Sequence, residues 1–453
     1  MVKFIRHAQA FAVLVIITLL QPAQAREMPT TMPEREGMDS ERLDRIGLAM
    51  NRAVDNGVMV GGLGMIARNG RVVYTDTWGL SDREKGTPME MDKIFRIYSM
   101  SKPITGVALM MLYEEGKFFL NDPVAMYLPE LANLQVAVST ADGVTRAVSD
   151  GTQSTTSGQG DTSRVGETRK PSRQPTVRDL MTHTAGFTYG FFGNTEVDKL
   201  YRDAGILANP NLSDFVEKLG QIPLQYEPGT RWHYSVSVDV QGALVERLSG
   251  MTFGEFLQQR LFTPMGMADT SFIVPNEKLD RLAQLYSPAG TAAVSDVFLQ
   301  QNNSTELVVA SAEASEGYLE GATFEGGGGG LVSTARDYMR FSQMMLNDGV
   351  LDGRRVLSRK TVELMTMNHL GDIPMGFGGA GVGFGLDFAV VLNPGDVGEV
   401  SSQGEFNWGG AAGTRFWIDP QEELIGVFMV QSIPHRTRLA QEFKTLTYQA
   451  IED

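Results

Sequence analysis

A serine and a lysine three positions apart are the first residues in this chain whose types suit chemistry. Ser99-Met100-Ser101-Lys102 lies within FRIYSMSKPIT, residues 95–105. A serine hydroxyl is a weak nucleophile at its ordinary pKa, and a lysine amine accepts a proton only when burial or a neighbouring cation keeps it partly neutral. One helical turn apart, the two supply the nucleophile and the base of an acyl transfer. The pattern is weak alone, because chance supplies about one or two S-x-x-K sequences in a chain this long. The competing reading is an N-cap serine beside a solvated lysine, and with nothing further it would be the better one.

Pro103 adds information, since proline fits a helix only in the first turn, where its missing N–H is not needed. The helix carrying Ile104, Val107, Ala108, Met111 and Leu112 is therefore predicted to begin near Ser99, with Ser99 and Lys102 on one face of its first turn. That start places the hydroxyl at a helix N-terminus, where the dipole and free N–H groups favour an oxyanion. Phe95, Ile97, Tyr98 and Met100 offer the amine apolar surroundings.

Other chemistries lack their residues. The chain has no cysteine, hence no thiol nucleophile, disulfide or thiolate metal site. G-x-S-x-G, H-E-x-x-H and the phosphate-binding G-x-x-x-x-G-K-[ST] are absent. No motif asks for a metal or a cofactor. His183 and His233 read as structural, and Ser101 and Ser235 as lining or capping residues. The run Gly326 to Gly330 reads as a close backbone approach or a sharp turn, followed by a capping box of Thr334 and Asp337 for a helix through Met344 and Met345.

The elements that must hold such a site follow from periodicity. Residues 40–55 space Leu43, Ile46, Met50 and Val54 along one helical face, with Ser40 as the expected cap. Two apolar-rich runs around Asn69-Gly70 read as an antiparallel hairpin, since both turn residues tolerate positive φ. TRFWIDPQEELIGVFMVQ holds two more strand-like runs around Asp419-Pro420, and QEFKTLTYQAIED closes with helical spacing. Between them, helices are expected at 104–115, 177–183, 211–220, 238–249 and 253–261. The fold class is α/β (α+β): an antiparallel sheet built from both chain ends and flanked by helices, with a mostly helical inserted domain. Residues 26–115 and 325–453 are assigned to the α/β domain and 116–324 to the helical one. Within the latter, residues 139–175, rich in Ser, Thr, Gly and charge, are expected to form a long mobile loop.

Residues 1–25 carry Lys3 and Arg6, an apolar run from Phe11 to Leu20 and then Ala23-Gln24-Ala25, the pattern of a secretory signal peptide. The run falls short of the roughly 20 residues a membrane span needs. The mature protein is expected to be periplasmic or secreted, without a span once the signal is removed. A formal net charge of −15 argues against a nucleic-acid partner. The basic stretch 163–178, with Arg164, Arg169, Lys170, Arg173 and Arg178, reads as a solvated loop.

With S-x-x-K, further segments in order resemble the serine β-lactamase and penicillin-binding-protein family: PTVRDLMTHTAGF (175–187), PGTRWHYSVSVDVQG (228–242), LFTPMGMADTSF (261–272), GGGGLVSTARDYMRFSQMMLNDG (327–349) and WGGAAGTRFWIDP (408–420). The resemblance covers nearly all of the chain after the signal. It departs from the class C β-lactamases at two motifs. Their tyrosine-x-asparagine is Tyr234-Ser235-Val236 here, and their lysine-threonine-glycine is Trp408-Gly409-Gly410. Trp408 brings a flat apolar wall where a lysine would help meet a β-lactam carboxylate. This combination resembles the family VIII carboxylesterases, which hydrolyse short-chain esters and in some members act weakly on cephalosporins.

The resemblance implies a β-lactamase/transpeptidase-like fold and an acyl-enzyme on Ser99, with Lys102 and Tyr234 sharing the proton work as a coupled pair whose base is left open. It implies an oxyanion hole from the N–H groups of Ser99 and Ala411, and substrate contacts at Trp408, Gly409 and Gly410. The substrate expected is a small-molecule ester. A β-lactamase or peptidase of the same fold, and a non-catalytic binding protein, are the alternatives. Oligomeric state has no signal in the sequence.

Overall fold

In the computed structural model, strands from both ends of the chain form one eight-stranded antiparallel sheet. The structure describes residues 27–138, 164–291, 304–377, 379–435 and 437–453. The expected signal peptide lies outside them. Helix α1 (Ser40–Asp55) precedes β1 (Gly61–Arg68), β2 (Arg71–Asp82) and β3 (Thr87–Pro88), and α2 (Ser101–Glu114) leaves the sheet. A helical region follows with α3 (Val177–Met181), α4 (Glu196–Asp203), α5 (Leu212–Leu219), α6 (Ser237–Ser249) and α7 (Phe253–Leu257). Helix α8 (Ala335–Leu346) leads to β4 (Val382–Phe384), β5 (Ala389–Val391), β6 (Phe406–Gly409), β7 (Arg415–Asp419) and β8 (Leu424–Val430), and α9 (Leu439–Tyr448) closes the chain. The strand order is β4-β5-β6-β7-β8-β1-β2-β3.

Alternation along the central strands separates two cores. Leu424 and Phe428 of β8, Ile66 of β1 and Trp417 of β7 pack beneath α1 and α9. Ile425, Val427, Met429, Leu63, Met65 and Phe416 point the other way, into the larger core shared with α2 and α8. The β1–β2 hairpin turns at Asn69-Gly70, with φ of 51° and 74°, as that dipeptide predicts. Helix α2 lies against α6 and is buried from Ser101 through Leu112. A helix enclosed all round needs no polar stripe, which is why its sequence is apolar with little periodicity.

Several expectations are corrected locally. The α1 cap is Asp39, whose carboxylate accepts the Arg42 N–H at 3.0 Å, and Ser40 is the first helical residue. The helix after the S-x-x-K starts at Ser101, with Tyr98–Met100 forming a 3₁₀ turn into it. Thr334 caps α8, yet Asp337 turns its carboxylate to the Asp269 N–H at 2.7 Å and the Thr270 hydroxyl at 2.9 Å rather than closing a capping box. After Leu257 the expected helix widens into a π-turn over Gln258–Phe262. The expected mobile loop is wrong over 164–175: Arg164–Arg169 pairs with Val136–Val138, and Arg173 bonds Asp179 through both terminal nitrogens. Arg169 also pairs with Glu227, so part of the supposed solvated basic stretch is engaged. Residues 139–163 lie outside the described ones.

Candidate active site

Ser99 sits in the middle of the turn that feeds α2, half-exposed above a fully buried Met100. The residue before it, Tyr98, is left-handed at φ 43°, a conformation that costs a non-glycine residue on the order of 1–3 kcal/mol. Its surroundings hold it there. The Ile97 N–H donates to the Leu331 carbonyl at 3.1 Å and the Met100 N–H to the Ile97 carbonyl at 3.0 Å.

Lys102 is fully buried one turn further on. Its Nζ donates to Ser99 Oγ at 3.2 Å and to the Gly328 carbonyl at 2.5 Å. The amine also lies 4.5 Å from the centre of the Tyr234 ring and 5.3 Å from that of Tyr189. Burial pushes it down to about 7, opposed by the carboxylates of Asp239 and Asp387. A neutral amine within hydrogen-bond reach of the serine is what a general base requires at neutral pH.

Tyr234 closes the third side. It sits just before α6, with its phenol receiving the indole N–H of Trp408 at 3.3 Å. Burial raises the phenol, while the neighbouring Ser99 hydroxyl and the Trp408 N–H oppose the shift. Tyr234 is therefore a protonated donor at neutral pH, with the lysine the easier group to find neutral. Trp408 is more than the flat wall expected from its type, since it also aims a donor at the tyrosine oxygen.

The end of β6 runs close beside the nucleophile turn. A Cβ on Gly410 would collide with the Ile97 carbonyl, so glycine there permits the approach. Gly409 pairs with Arg415 at the strand end, and the Gly410 N–H donates to the Thr414 carbonyl at 2.7 Å. Ala411 packs in a small apolar cluster with Tyr98. Among the described residues, neither the Ser99 N–H nor the Ala411 N–H has a protein acceptor.

Residues that sequence reasoning passed over complete the surroundings. Tyr189, Phe192, Trp232 and Phe377 ring Tyr234 at centroid separations of 5.4, 5.7, 5.9 and 5.1 Å, and the expected Trp408 completes the ring at 5.6 Å. The run Phe187-Thr188-Tyr189-Gly190-Phe191-Phe192 was the available signal, a density of rings too great for an ordinary loop. Asp239 and Asp387 left none, because an isolated aspartate carries no pattern. His183 is fully buried and held neutral by that burial, and His233 is likewise pushed down to about 4. Their bonds run to Ser235 and Thr188, so both serve the packing around the site. Ser101 faces away from Ser99 and accepts the Leu331 N–H at 3.1 Å. No group of His, Asp and Glu among the described residues is arranged to hold a metal ion, and no described helix is long and apolar enough to cross a membrane.

Comparison with known proteins shows the family and the fold. The beta-lactamase family model matches residues 47–445. Protein Rv1367c of Mycobacterium tuberculosis is 31% identical over 86% of this chain and 90% of its own length. Esterase EstB of Burkholderia gladioli is 27% identical over 83% of this chain and 86% of its own. Among solved structures, EstCE1, described as a hydrolase with promiscuous acyltransferase activity, superposes with a TM-score of 0.69 at 25% identity, covering 90% of this chain and 99% of that one. Simvastatin synthase from Aspergillus terreus shares the fold, with a TM-score of 0.70 at 20% identity over 91% of this chain and 98% of that one.

Proposed function

The chain belongs to the beta-lactamase family, and from that premise we propose that it is a serine hydrolase that cleaves short-chain carboxylic esters through an acyl-enzyme on Ser99. The observation that carries this reading is the buried Lys102 amine, depressed to about 7 and 3.2 Å from Ser99 Oγ. The choice of esters rests on the aromatic wall and on Trp408, which offers no full positive charge to a β-lactam or peptide carboxylate. The similarity to Esterase EstB supports the same choice.

In this mechanism the Ser99 oxygen attacks the ester carbonyl carbon and its proton passes to Lys102. The N–H groups of Ser99 and Ala411 receive the carbonyl oxygen as it becomes anionic; removing one such donor costs about 2.7–4 kcal/mol of transition-state stabilisation. The C–O bond to the alcohol then breaks. Tyr234 gives the departing alkoxide a proton and recovers one from Lys102. Water next attacks the acyl carbon and yields a proton to the Lys102–Tyr234 pair; the bond from the acyl carbon to Ser99 Oγ then breaks, and the pair returns the proton to the serine oxygen as the acid leaves. Gly409 and Gly410 border the acyl group beside Trp408. The apolar run and cleavage pattern of residues 1–25 support a periplasmic or secreted location for the mature enzyme.

Purified protein assayed with p-nitrophenyl acetate, butyrate and longer esters, beside a chromogenic cephalosporin and a Ser99→Ala control, tests the proposal. Hydrolysis of the short esters, weak or no turnover of the cephalosporin and loss of both in the variant are expected. Equal or faster cephalosporin turnover would replace the esterase by a β-lactamase. No labelling of Ser99 by a fluorophosphonate would remove the hydrolase reading altogether.

A further inference from the structure

The five glycines from Gly326 to Gly330 lie behind Lys102, where their three central carbonyls are held. Thr105 donates to the Gly327 carbonyl at 2.9 Å, Tyr318 to the Gly329 carbonyl at 3.0 Å and Lys102 to the Gly328 carbonyl at 2.5 Å. The Gly328 N–H, on the other side of the same residue, donates to Asp239 Oδ1 at 2.9 Å. Asp239 comes from the first turn of α6 and is 3% exposed; its Oδ2 has no hydrogen-bond partner among the described residues. A Cβ on Gly328 would stand 2.6 Å from Asp239 Oδ2 and 2.8 Å from the Tyr189 hydroxyl. Only a residue without a side chain brings this carbonyl to the lysine while its N–H reaches the acid.

We infer that Asp239 is a positioning residue for the proposed esterase: through Gly328 it fixes the carbonyl that holds Lys102, and its charge, one residue removed from the amine, sets how readily that amine gives up its proton. The inference rests on the serine-hydrolase reading of the site. The groups facing the amine are Ser99, the Tyr189 and Tyr234 rings, His183, the Gly328 carbonyl, Asp239 and Asp387. Burial raises both acids and the neighbouring Lys102 opposes that rise; Asp387 is bonded to Gln241 at 3.0 Å, and Asp239 alone of the two also grips the acceptor loop. A direct carboxylate contact would hold the lysine charged. A neutral carbonyl in contact, with the acid behind it, orients the amine and leaves it able to act as a base.

The test is the rate at which a fluorophosphonate labels Ser99 in the full-length protein across pH. In that reaction the serine oxygen displaces fluoride from phosphorus and its proton goes to Lys102, so no particular ester is needed. Asp239→Asn keeps an oxygen for the Gly328 N–H and removes the charge. Its acidic limb is expected about half a pH unit or more below that of the wild type, because the ammonium loses an attractive neighbour, while KM for p-nitrophenyl acetate changes less than about twofold. Asp239→Ala also removes the acceptor, and its maximal labelling rate is expected to be about tenfold or more below that of the Asn variant. If the Ala variant does not fold, the Asn profile alone decides. A limb at the wild-type pH in Asp239→Asn overturns the inference, as does an Ala variant that labels as fast as the Asn variant. Wild-type protein that labels at no pH overturns the hydrolase reading instead.

Discussion

Two walls meet at Ser99, and they are built from different parts of the polypeptide. On one side stand side chains: Tyr189, Phe192, Trp232, Phe377 and Trp408 arranged around Tyr234, drawn from separate loops and from β6. On the other stands backbone: the Gly326–Gly330 loop, its carbonyls and N–H groups tied to Lys102, Thr105, Tyr318 and Asp239. Rings of similar size exchange at modest cost, so the first wall is free to change what the site accepts. The second has no side chain to exchange, and an atom added at Gly328 lands on Asp239 and Tyr189. For the proposed esterase the contrast predicts selectivity in the aromatic wall and proton transfer at the glycine wall.

Experiments that break the contrast can be ordered by size of effect. Ser99→Ala removes the point where the walls meet, and kcat with p-nitrophenyl acetate should fall about 10⁴-fold or more with the melting temperature unchanged. Gly328→Ala puts a methyl 2.6 Å from Asp239 Oδ2; kcat should fall about 10- to 100-fold with KM altered little, since overpacking of this kind costs about 1–3 kcal/mol. In the proposed mechanism the neutral form of Lys102 is the active one, and it is lost as pH falls through about 7. A kcat/KM profile should therefore rise with pH up to that point and flatten above it, with about a tenfold loss per unit on the acidic side. Phe377→Ala belongs to the other wall. It should change kcat/KM between acetate and longer or bulkier esters by about three- to tenfold, and it should leave the acidic limb where it was. An equal loss on all esters with a displaced limb would erase the division between the walls. As a baseline remote from both, Glu363→Ala removes an exposed pair with Arg359 one turn away and should cost about 0.3–0.5 kcal/mol in denaturant unfolding.

The same division governs what could be read in advance. Strands β1 and β2 announced themselves as apolar runs around the Asn69-Gly70 turn and β7 and β8 as runs around Asp419-Pro420, while the shorter β3 to β6 did not; S-x-x-K, Tyr234 and Trp408 were legible through ordered motifs. The aromatic wall was legible in principle, because rings are conspicuous in a sequence. The glycine wall was not. Gly326–Gly330 reads as a turn or a close approach in any protein, and what it approaches is set by Asp239 and Lys102, which lie far away in the chain. Caps failed for a related reason. Ser40 and Asp39 are both suitable types, and only backbone geometry selects the aspartate. The pairing of Arg164–Arg169 with Val136–Val138 escaped because a polar strand shows no apolar alternation.

The sheet also sets the order in which the molecule can be completed. Strand β1 lies between β2, its immediate neighbour in the chain, and β8, so that Gly62 faces Val430 with nearly the whole polypeptide between them. During synthesis the first hairpin leaves the ribosome early and then waits, one edge unpaired, until the last strand appears. Folding that depends on so distant a partner is slow. A nascent chain stopped before Leu424 would hold Ser99 and Lys102 yet lack the strand on which the middle of the sheet closes.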